Sequence, residues 1–312
     1  MTWSAEKSSL HHVTIESSSS EDTRIVSGLR GADEWLRLSR RVNETAALFL
    51  TDLHIGSRWG LWNPHYQLKE ESEANIDFQM NSVQSKLWDY WRDLCRRLDR
   101  VRPDLIFLLG HIINGSNPHD HGDRSFTSNL DDQSSCALSI LRMIPKKAHT
   151  RIIGLVDSGY RDREYLKAHE QLCDKLGGLC QGTTGIFKFG DHDFRMYHGS
   201  TTAYVYLETV MGRRRTFAQE AVAGKKLPEI DGIICGRSHR WLHMRTMWRA
   251  GKDFHVVLCP GWEGQTDFMA MKDPDKMIPE IGAVLGRFKQ GFVDFQCVRY
   301  PTPWGISTSV KI

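Results

Sequence analysis

The chain has 312 residues, of which 40% are hydrophobic, and 41 Lys and Arg side chains against 38 Asp and Glu side chains give a formal net charge of +3. The sequence has no run of about 18 apolar residues, so no membrane-spanning segment is predicted and no membrane partner is expected. A charge of +3 on a chain of this size is too small to indicate nucleic-acid binding by itself. Any partner therefore has to be inferred from a site.

The first part of the chain differs in composition from the rest. Residues 1–22 are polar, rich in serine and poor in aromatic side chains, which favours a flexible tail ahead of one domain over residues 23–312. No secretory signal pattern is visible in this segment, so a cytoplasmic location is expected. The seven cysteines are odd in number and contain no CxxC pair, which argues against a disulfide framework and against a thiolate zinc site.

Short apolar runs alternate with amphipathic stretches through the first half of the chain. Continuously apolar runs are typical of strands buried on both faces, whereas apolar residues at helical spacing predict helices that pack on a sheet. Strands are predicted at 46–50, 105–109 and 151–156, and helices at 25–42, 78–100, 129–144 and 162–176. Strands alternating with helices of this length predict an α/β fold in which helices cover a sheet.

The second half is richer in predicted strands. Residues 186–196 and 241–258 show strand-like runs interrupted by Gly190-Asp191 and Ala250-Gly251, which are typical of hairpin turns. A further apolar run covers residues 232–235. The α/β first half is therefore expected to continue into a β-rich second half of the same layered domain.

Polar side chains follow five of these predicted strands. In α/β sheets, functional residues lie just beyond the carboxyl ends of the strands, where the loops converge. The residues at these positions are Asp52 and His54, His111, Ser158 and Arg161, His198, and Arg237, Ser238 and His239. Each strand end thus carries a side chain that can contact a metal ion or a phosphate group.

The segment from Ala46 to Pro260 resembles the calcineurin-like metallophosphoesterases in the order of its motifs. That order is Asp-x-His, Gly-(Asp), a polar loop, His-Gly and Gly-His-x-His. Residues 258–262 and 277–282 more weakly resemble the phage-type members. The resemblance implies an α/β/β/α sandwich with a mixed β core flanked by helices. It also implies a site in which two divalent ions share a bridging carboxylate, orient a phosphate and lower the pKa of the attacking water.

Three positions depart from the pattern of that family. His111 stands at the position of the bridging Asp. Arg161 stands at the position of the acid-donating His, and Arg237 replaces the first His of Gly-His-x-His. A guanidinium group repels a nearby cation but grips phosphate oxygens in two places, so the two arginines could bind phosphate in place of the missing ion and acid.

The ligands that the resemblance leaves in place are unevenly distributed. Asp52, His54 and His239 could still hold one Zn, Mn or Fe ion, with His111 as a candidate fourth ligand. The second ion would keep only His198 and the Ser158 hydroxyl, so it is predicted not to bind. Residues from elsewhere, such as Asp157 or Glu263, could compensate for the lost ligands.

Two functions remain open at this level. One is hydrolysis of a phosphoester, either a phosphodiester or a nucleotide, with a depleted single-metal site. The other is a catalytically inactive pseudoenzyme that keeps the fold and binds phosphate or nucleic acid, or acts in an assembly. The sequence does not indicate a protein partner for either function.

Overall fold

A computed structural model describes most of the domain and, within the N-terminal part, three strands. The described residues are 11–17, 22–27, 36–39, 44–68, 79–115, 125–156, 163–199, 207–248, 251–266, 269 and 278–303. Among these residues, no helix combines the length and the apolar character needed to cross a bilayer.

Four helices and fourteen strands follow one another in the described residues. They are β1 (His11–Ser17), β2 (Asp22–Ser27), β3 (Leu36–Ser39), β4 (Glu44–Leu50), α1 (Ser82–Leu98), β5 (Leu105–Leu109), α2 (Leu130–Arg142), β6 (Arg151–Leu155), α3 (Arg163–Lys175), β7 (Leu179–Gln181), β8 (Thr184–Phe189), β9 (His192–Tyr197), α4 (Leu207–Ala223), β10 (Gly232–Cys235), β11 (Leu242–Met247), β12 (Asp253–Leu258), β13 (Ile281–Lys289) and β14 (Phe292–Tyr300).

The strands form two mixed sheets. The first has the order β14-β13-β4-β5-β6-β7, and its strands from β4 to β7 run parallel. The second has the order β11-β12-β10-β9-β8-β1-β2-β3, and within it β9, β10 and β12 run parallel. Each sheet therefore presents the carboxyl ends of several parallel strands along one edge.

Alternation of side chains along β4 shows how the layers are stacked. Phe49 faces the second sheet and stacks on Phe107 of β5 with 5.2 Å between ring centroids, in the apolar core between the two sheets. Leu48 and Leu50 face the opposite way, into the core that the first sheet shares with α1, α2 and α3. On the far side of the second sheet, residues such as Ile233 pack with α4.

This stacking confirms the predicted α/β architecture, a mixed β core flanked by helices in the order α/β/β/α. The predicted strands at 46–50, 105–109 and 151–156 correspond to β4, β5 and β6. The predicted hairpins correspond to β8 with β9 and to β11 with β12. The hairpin of β13 and β14 was not predicted, and β13 pairs with the edge of β4.

The N-terminal segment contains strands where a helix was expected. The helix predicted at 25–42 is wrong for residues 25–27 and 36–39, because β2 and β3 pair there in antiparallel register, with Ile25 opposite Leu36. Pairing across strands thus outweighs the local helical spacing. Within the expected tail, β1 pairs in parallel with β8. Residues 1–10 and 18–21 lie outside the described residues, and the boundary between tail and domain stays a prediction.

Candidate metal centre

The loops that leave β4, β5 and the parallel strands of the second sheet meet at one place. The backbone N–H of Asp52, after β4, donates to the carbonyl of Gly110, after β5, at 3.1 Å. The N–H of Trp262, after β12, donates to the carbonyl of Asp52 at 2.9 Å. The carboxyl ends of strands from both sheets are therefore joined by main-chain hydrogen bonds around Asp52.

One carboxylate oxygen of Asp52 is surrounded by four imidazole rings. Asp52 is fully buried, and each of the four histidines is at most 8% exposed. The distances from Oδ1 are 3.1 Å to Nδ1 of His111, 3.0 Å to Nε2 of His198, 3.7 Å to Nε2 of His54 and 3.6 Å to Nε2 of His239. The structure thus brings together all five residues that the sequence predicted as metal ligands.

The second oxygen of Asp52 accepts two further hydrogen bonds. The Thr51 hydroxyl and the backbone N–H of Arg237 each donate to Oδ2 at 2.7 Å. Burial tends to raise the pKa of Asp52, but His239, His198 and the hydrogen bond from His111 together hold that pKa well below its usual value. Asp52 is therefore a fixed negative charge at the centre of the site.

The four histidines contact Asp52 in two different ways. The contacts of His111 and His198 have hydrogen-bond lengths, so each ring donates an N–H to the carboxylate. The contacts of His54 and His239 are longer than a hydrogen bond. His111 and His198 therefore hold Asp52 in place by hydrogen bonds, whereas the Nε2 atoms of His54 and His239 lie too far from it to form one.

A second set of polar residues orients His54. Its Nδ1 donates to Oδ1 of Asn114 at 3.2 Å, and the amide nitrogen of Asn114 donates to the Ser125 hydroxyl at 2.7 Å. In the neutral ring, Nε2 of His54 then carries the lone pair, and it faces Oε2 of Glu263 at 3.6 Å as well as Asp52. The other oxygen of Glu263 accepts a hydrogen bond from the Ser57 hydroxyl at 2.9 Å.

The spacing of these donor atoms fits a divalent cation. In a tetrahedral zinc site with bonds of about 2.0–2.1 Å, neighbouring ligand atoms lie about 3.4 Å apart. Asp52, His54 and His239 are separated by 3.6–3.7 Å along the two measured edges, and their ligand atoms all lie within 4.8 Å of one another. The lone pair of His54 Nε2 faces oxygens of two buried carboxylates, Asp52 and Glu263. A cation between these electron-rich atoms would offset the repulsion among them.

The backbone is strained at this site. Asp52, His54, His111, Arg237 and His239 all have positive φ angles, between 46° and 75°, and they are five of the seven such non-glycine residues in the described part of the chain. A left-handed conformation costs a non-glycine residue roughly 1–2 kcal/mol. Such strain persists only where the surrounding structure enforces it, and it is concentrated at functional sites.

The tight approach of the β12 loop helps to place His239. A Cβ atom on Gly261 would lie 2.7 Å from Nδ1 of His239 and 3.2 Å from the Cβ of Asp52. Only glycine leaves room for both ligands here. Gly261 thus fixes the position of His239 without contributing a ligand.

The remaining predicted residues have different outcomes. Arg237 lies at the site through its backbone N–H, and the phosphate contact expected of its guanidinium group stays a prediction. Arg161, Ser158 and Asp157 lie outside the described residues. Glu263, considered only as a compensating residue, faces His54 within the site.

Sequence reasoning did not single out Asn114 or Ser57. The signal for Asn114 was present, since it lies three residues after His111 in the same loop. Ser57 follows His54 in the same way. Residues that orient ligands rather than bind the ion are not part of the motif, which is why they were missed.

Comparison with known proteins gives similarity in fold at low sequence identity. No protein-family model matches the sequence, and no curated protein matches it significantly. Among solved structures, an archaeal phosphodiesterase is 9% identical, covering 81% of this chain and all of that one, with a TM-score of 0.40. This structural neighbour is described as a phosphodiesterase.

Two other solved structures give similar values. Vps29 of Chaetomium thermophilum is 11% identical over 83% of this chain and all of its own, with a TM-score of 0.35. A predicted phosphoesterase of Streptococcus pneumoniae is 12% identical over 84% of this chain and 95% of its own, also with a TM-score of 0.35. With identities and TM-scores this low, these likenesses carry no argument about function, which rests on the site residues.

Proposed function

We propose that this protein hydrolyses phosphoesters, phosphodiesters or nucleotides, with one divalent cation held by Asp52, His54 and His239. The observation that carries the proposal is the convergence of two imidazole Nε2 atoms on one oxygen of Asp52 at 3.6–3.7 Å. These separations are too long for hydrogen bonds and suit ligands of one ion. Zinc, manganese and iron all accept such a donor set.

Glu263 lies beside His54 and adds a carboxylate to this set. Its Oε2 lies 3.6 Å from Nε2 of His54, and its other oxygen is held by Ser57. The side chain is therefore oriented toward the same space as the three ligands. It supplies a second negative charge. This charge offsets the loss of the bridging carboxylate that the resembled family has at the position of His111.

Each of the other residues has a definite task in this proposal. His111 and His198 donate to Asp52 and keep it ionised and oriented. Asn114 fixes the tautomer of His54, so that the lone pair lies on Nε2, the atom proposed to bind the ion. Arg237 and Arg161 bind the phosphate oxygens. When bound, the ion polarises a phosphoryl oxygen and lowers the pKa of a water molecule.

The alternative function is that of a phosphate-binding or nucleic-acid-binding pseudoenzyme. It is favoured by a specific observation: His111 and His198 donate hydrogen bonds to Asp52. The ligand atoms of these three residues also lie within 4.8 Å of one another, but a second ion could bind there only at the cost of those hydrogen bonds. In the family that this chain resembles, the two ions share a carboxylate at the position that His111 occupies here. We also propose that the protein is a phage-type member, because residues 258–262 and 277–282 resemble such members. We propose a cytoplasmic location, because no secretory signal pattern is visible in residues 1–22.

Metal analysis combined with a hydrolysis assay distinguishes the two functions. The purified full chain is loaded with manganese, its metal content is measured, and turnover of bis-p-nitrophenyl phosphate is followed. We expect one ion at the Asp52 centre and measurable turnover, with both lost in His239→Gln. His149→Gln, which changes a histidine with a 45% exposed side chain far from Asp52 in the chain, is the matched control and should keep both.

The possible results separate cleanly. Metal binding with turnover that depends on His239 supports the enzyme. An ion that binds through His239 without any turnover, together with binding of inorganic phosphate, supports the pseudoenzyme. Turnover that survives His239→Gln contradicts both the site and the proposal.

A further inference from the structure

A second group of metal-binding side chains lies between α3 and the edge of the first sheet. It consists of His169, Cys173 and Cys180, whose ligand atoms all lie within 4.8 Å of one another. His169 and Cys173 are fully buried, and Cys180 is partly exposed. We propose that these three residues form a zinc site separate from the Asp52 centre.

The fold places the three side chains on facing surfaces. His169 and Cys173 are four residues apart on α3, so they project from the same face of the helix. Cys180 lies on β7, directly opposite Gly154 of β6 in the parallel register. Sequence spacing concealed this arrangement, because the two cysteines come together only when the chain turns from α3 back into β7.

Gly154 makes the approach of the helix possible. A Cβ atom at this position would lie 2.3 Å from Sγ of Cys173 and 3.2 Å from Cε1 of His169. Any larger residue would therefore push both ligands away from β7. The cluster therefore depends on the absence of a side chain at Gly154. This dependence distinguishes it from an incidental contact of buried cysteines.

The distances suit tetrahedral zinc. Nδ1 of His169 lies 3.9 Å from Sγ of Cys173 and 3.8 Å from Sγ of Cys180. Bonds of about 2.3 Å to sulfur and about 2.0 Å to nitrogen place such atoms about 3.6 Å apart in a tetrahedral site. A small inward movement of the side chains would complete the coordination, and a set of two thiolates and one imidazole leaves one position for a water molecule.

The electrostatic setting agrees with this geometry. Cys173 and Cys180 lie side by side, since both sulfur atoms contact Nδ1 of His169. Glu170 and Asp174 lie close enough to add negative charge around the pair. Cysteine binds zinc as the thiolate. The negative charges of the nearby acidic side chains disfavour two thiolates without a cation and favour a bound cation that balances them.

Cobalt substitution tests this site separately from the Asp52 centre. Only a thiolate ligand gives a sulfur-to-cobalt charge-transfer band, and the proposed ligands of the Asp52 centre include no cysteine. The reduced full chain is titrated with Co²⁺ without oxygen. Because the Asp52 centre also binds Co²⁺, we expect the band to appear and to saturate within two equivalents. We expect zinc to abolish the band, Cys180→Ser to lose it, and Cys297→Ser to keep it. Cys297 is the matched control because it is also partly exposed.

A measurement on the unaltered protein guards against a variant that fails to fold. Alkylation of Cys180 by iodoacetamide, located by peptide mass spectrometry, should slow about tenfold or more when zinc is added, whereas Cys297 should react at an unchanged rate. Three results would overturn the proposal. They are no charge-transfer band in the reduced chain, a band that survives Cys180→Ser, and a Cys173–Cys180 disulfide in a protein that binds no zinc after reduction.

Discussion

The Nε2 atom of His198 lies 3.0 Å from Oδ1 of Asp52, although 146 residues separate the two in the chain. His198 follows β9 of the eight-stranded sheet, and Asp52 follows β4 of the six-stranded sheet. Both side chains are shielded from solvent. This hydrogen bond therefore ties the edges of the two sheets together, so the site and the stability of the fold depend on the same residues.

Replacement of Asp52 should affect both properties at once. Asp52→Asn removes the charge that the surrounding histidines stabilise and sets an amide group against the donors Thr51 and Arg237. Loss of one partner from a buried charged network costs about 3–5 kcal/mol. We expect a loss of this size in the free energy of unfolding, measured with urea in the presence of EDTA.

The same variant should also lose its response to metal. At a manganese concentration 100 times the Kd, binding raises the free energy of unfolding of the wild type by about 2.7 kcal/mol; manganese is used because the thiolates of the proposed zinc site disfavour it. Asp52→Asn should show no such rise, while Asp253→Asn, which breaks a solvent-exposed pair with Arg245, should keep it. An Asp52→Asn protein that responds to metal like the wild type would remove Asp52 from the ligand set.

The orientation of His54 can be tested without removing a ligand. Asn114→Ala takes away the acceptor for Nδ1 of His54, so the ring loses its fixed tautomer. Loss of such an orienting partner typically weakens metal affinity 10–100-fold. Asn63→Ala is the matched control, because Asn63 is as buried as Asn114 and also donates to a serine hydroxyl.

Both asparagine variants should lose about 1 kcal/mol of stability through the broken hydrogen bonds. Only Asn114→Ala should bind manganese more weakly in a calorimetric titration. Equal metal affinities in the two variants would show that Asn114 does not position His54.

The close packing of Gly261 against His239 gives a third test. In Gly261→Ala the added methyl group must displace the imidazole, so we expect metal affinity to fall at least tenfold and stability to fall by about 1–3 kcal/mol. A Cβ atom added to Gly212 of α4 would meet no atom within 4 Å beyond the backbone of its own helix, so Gly212→Ala should instead be neutral or stabilising by up to about 1 kcal/mol. Matching metal titrations for the two variants would contradict the proposed role of Gly261.

The sequence placed Asp52, His54, His111 and His239 at the carboxyl ends of strands because each follows an apolar run that is typical of a buried strand. It named Glu263 only as a candidate compensating residue, since Glu263 becomes part of the site only through the parallel pairing of β12 with β10. The run at 241–258 predicted a hairpin with β11, which is correct, but local periodicity does not specify the other neighbour of a strand. His169 and Cys180 were missed for the same reason: their contact depends on the register of β7 against β6.

Acid should destabilise the protein through a histidine away from the candidate metal centre. His255 is 4% exposed, and its Nδ1 lies 3.0 Å from Nε2 of His243. Burial, with the nearby charges of His243, Arg245 and His192 outweighing Asp253, lowers the pKa of His255 from 6.5 to about 4. Between these values the unfolded chain binds a proton that the folded chain does not, so stability falls as the pH falls.

The lowered pKa of His255 sets both the size of the stability loss and the pH range over which it occurs. The protein should lose roughly 3 kcal/mol between pH 6.5 and pH 4 through His255, with no further loss from this group below pH 4. His255→Gln should give a shallower decline in urea unfolding measured at several pH values. His149→Gln, at a partly exposed position, should follow the wild type. Parallel curves for His255→Gln and the wild type would show that His255 does not titrate in this way.

Introducing the residues of the calcineurin-like metallophosphoesterases at the three positions that depart from their pattern tests whether those departures prevent a second ion from binding. The triple variant His111→Asp, Arg161→His, Arg237→His supplies a bridging carboxylate and two imidazoles, so it should bind two manganese ions and hydrolyse bis-p-nitrophenyl phosphate faster than the wild type. Without metal it should be less stable than the wild type, because His111 donates to Asp52 and its replacement puts a second buried carboxylate there. Added manganese should reverse that loss. A variant that binds one ion and shows unchanged turnover would mean that these positions do not correspond to the family ligands, since the remaining residues would then have completed the site.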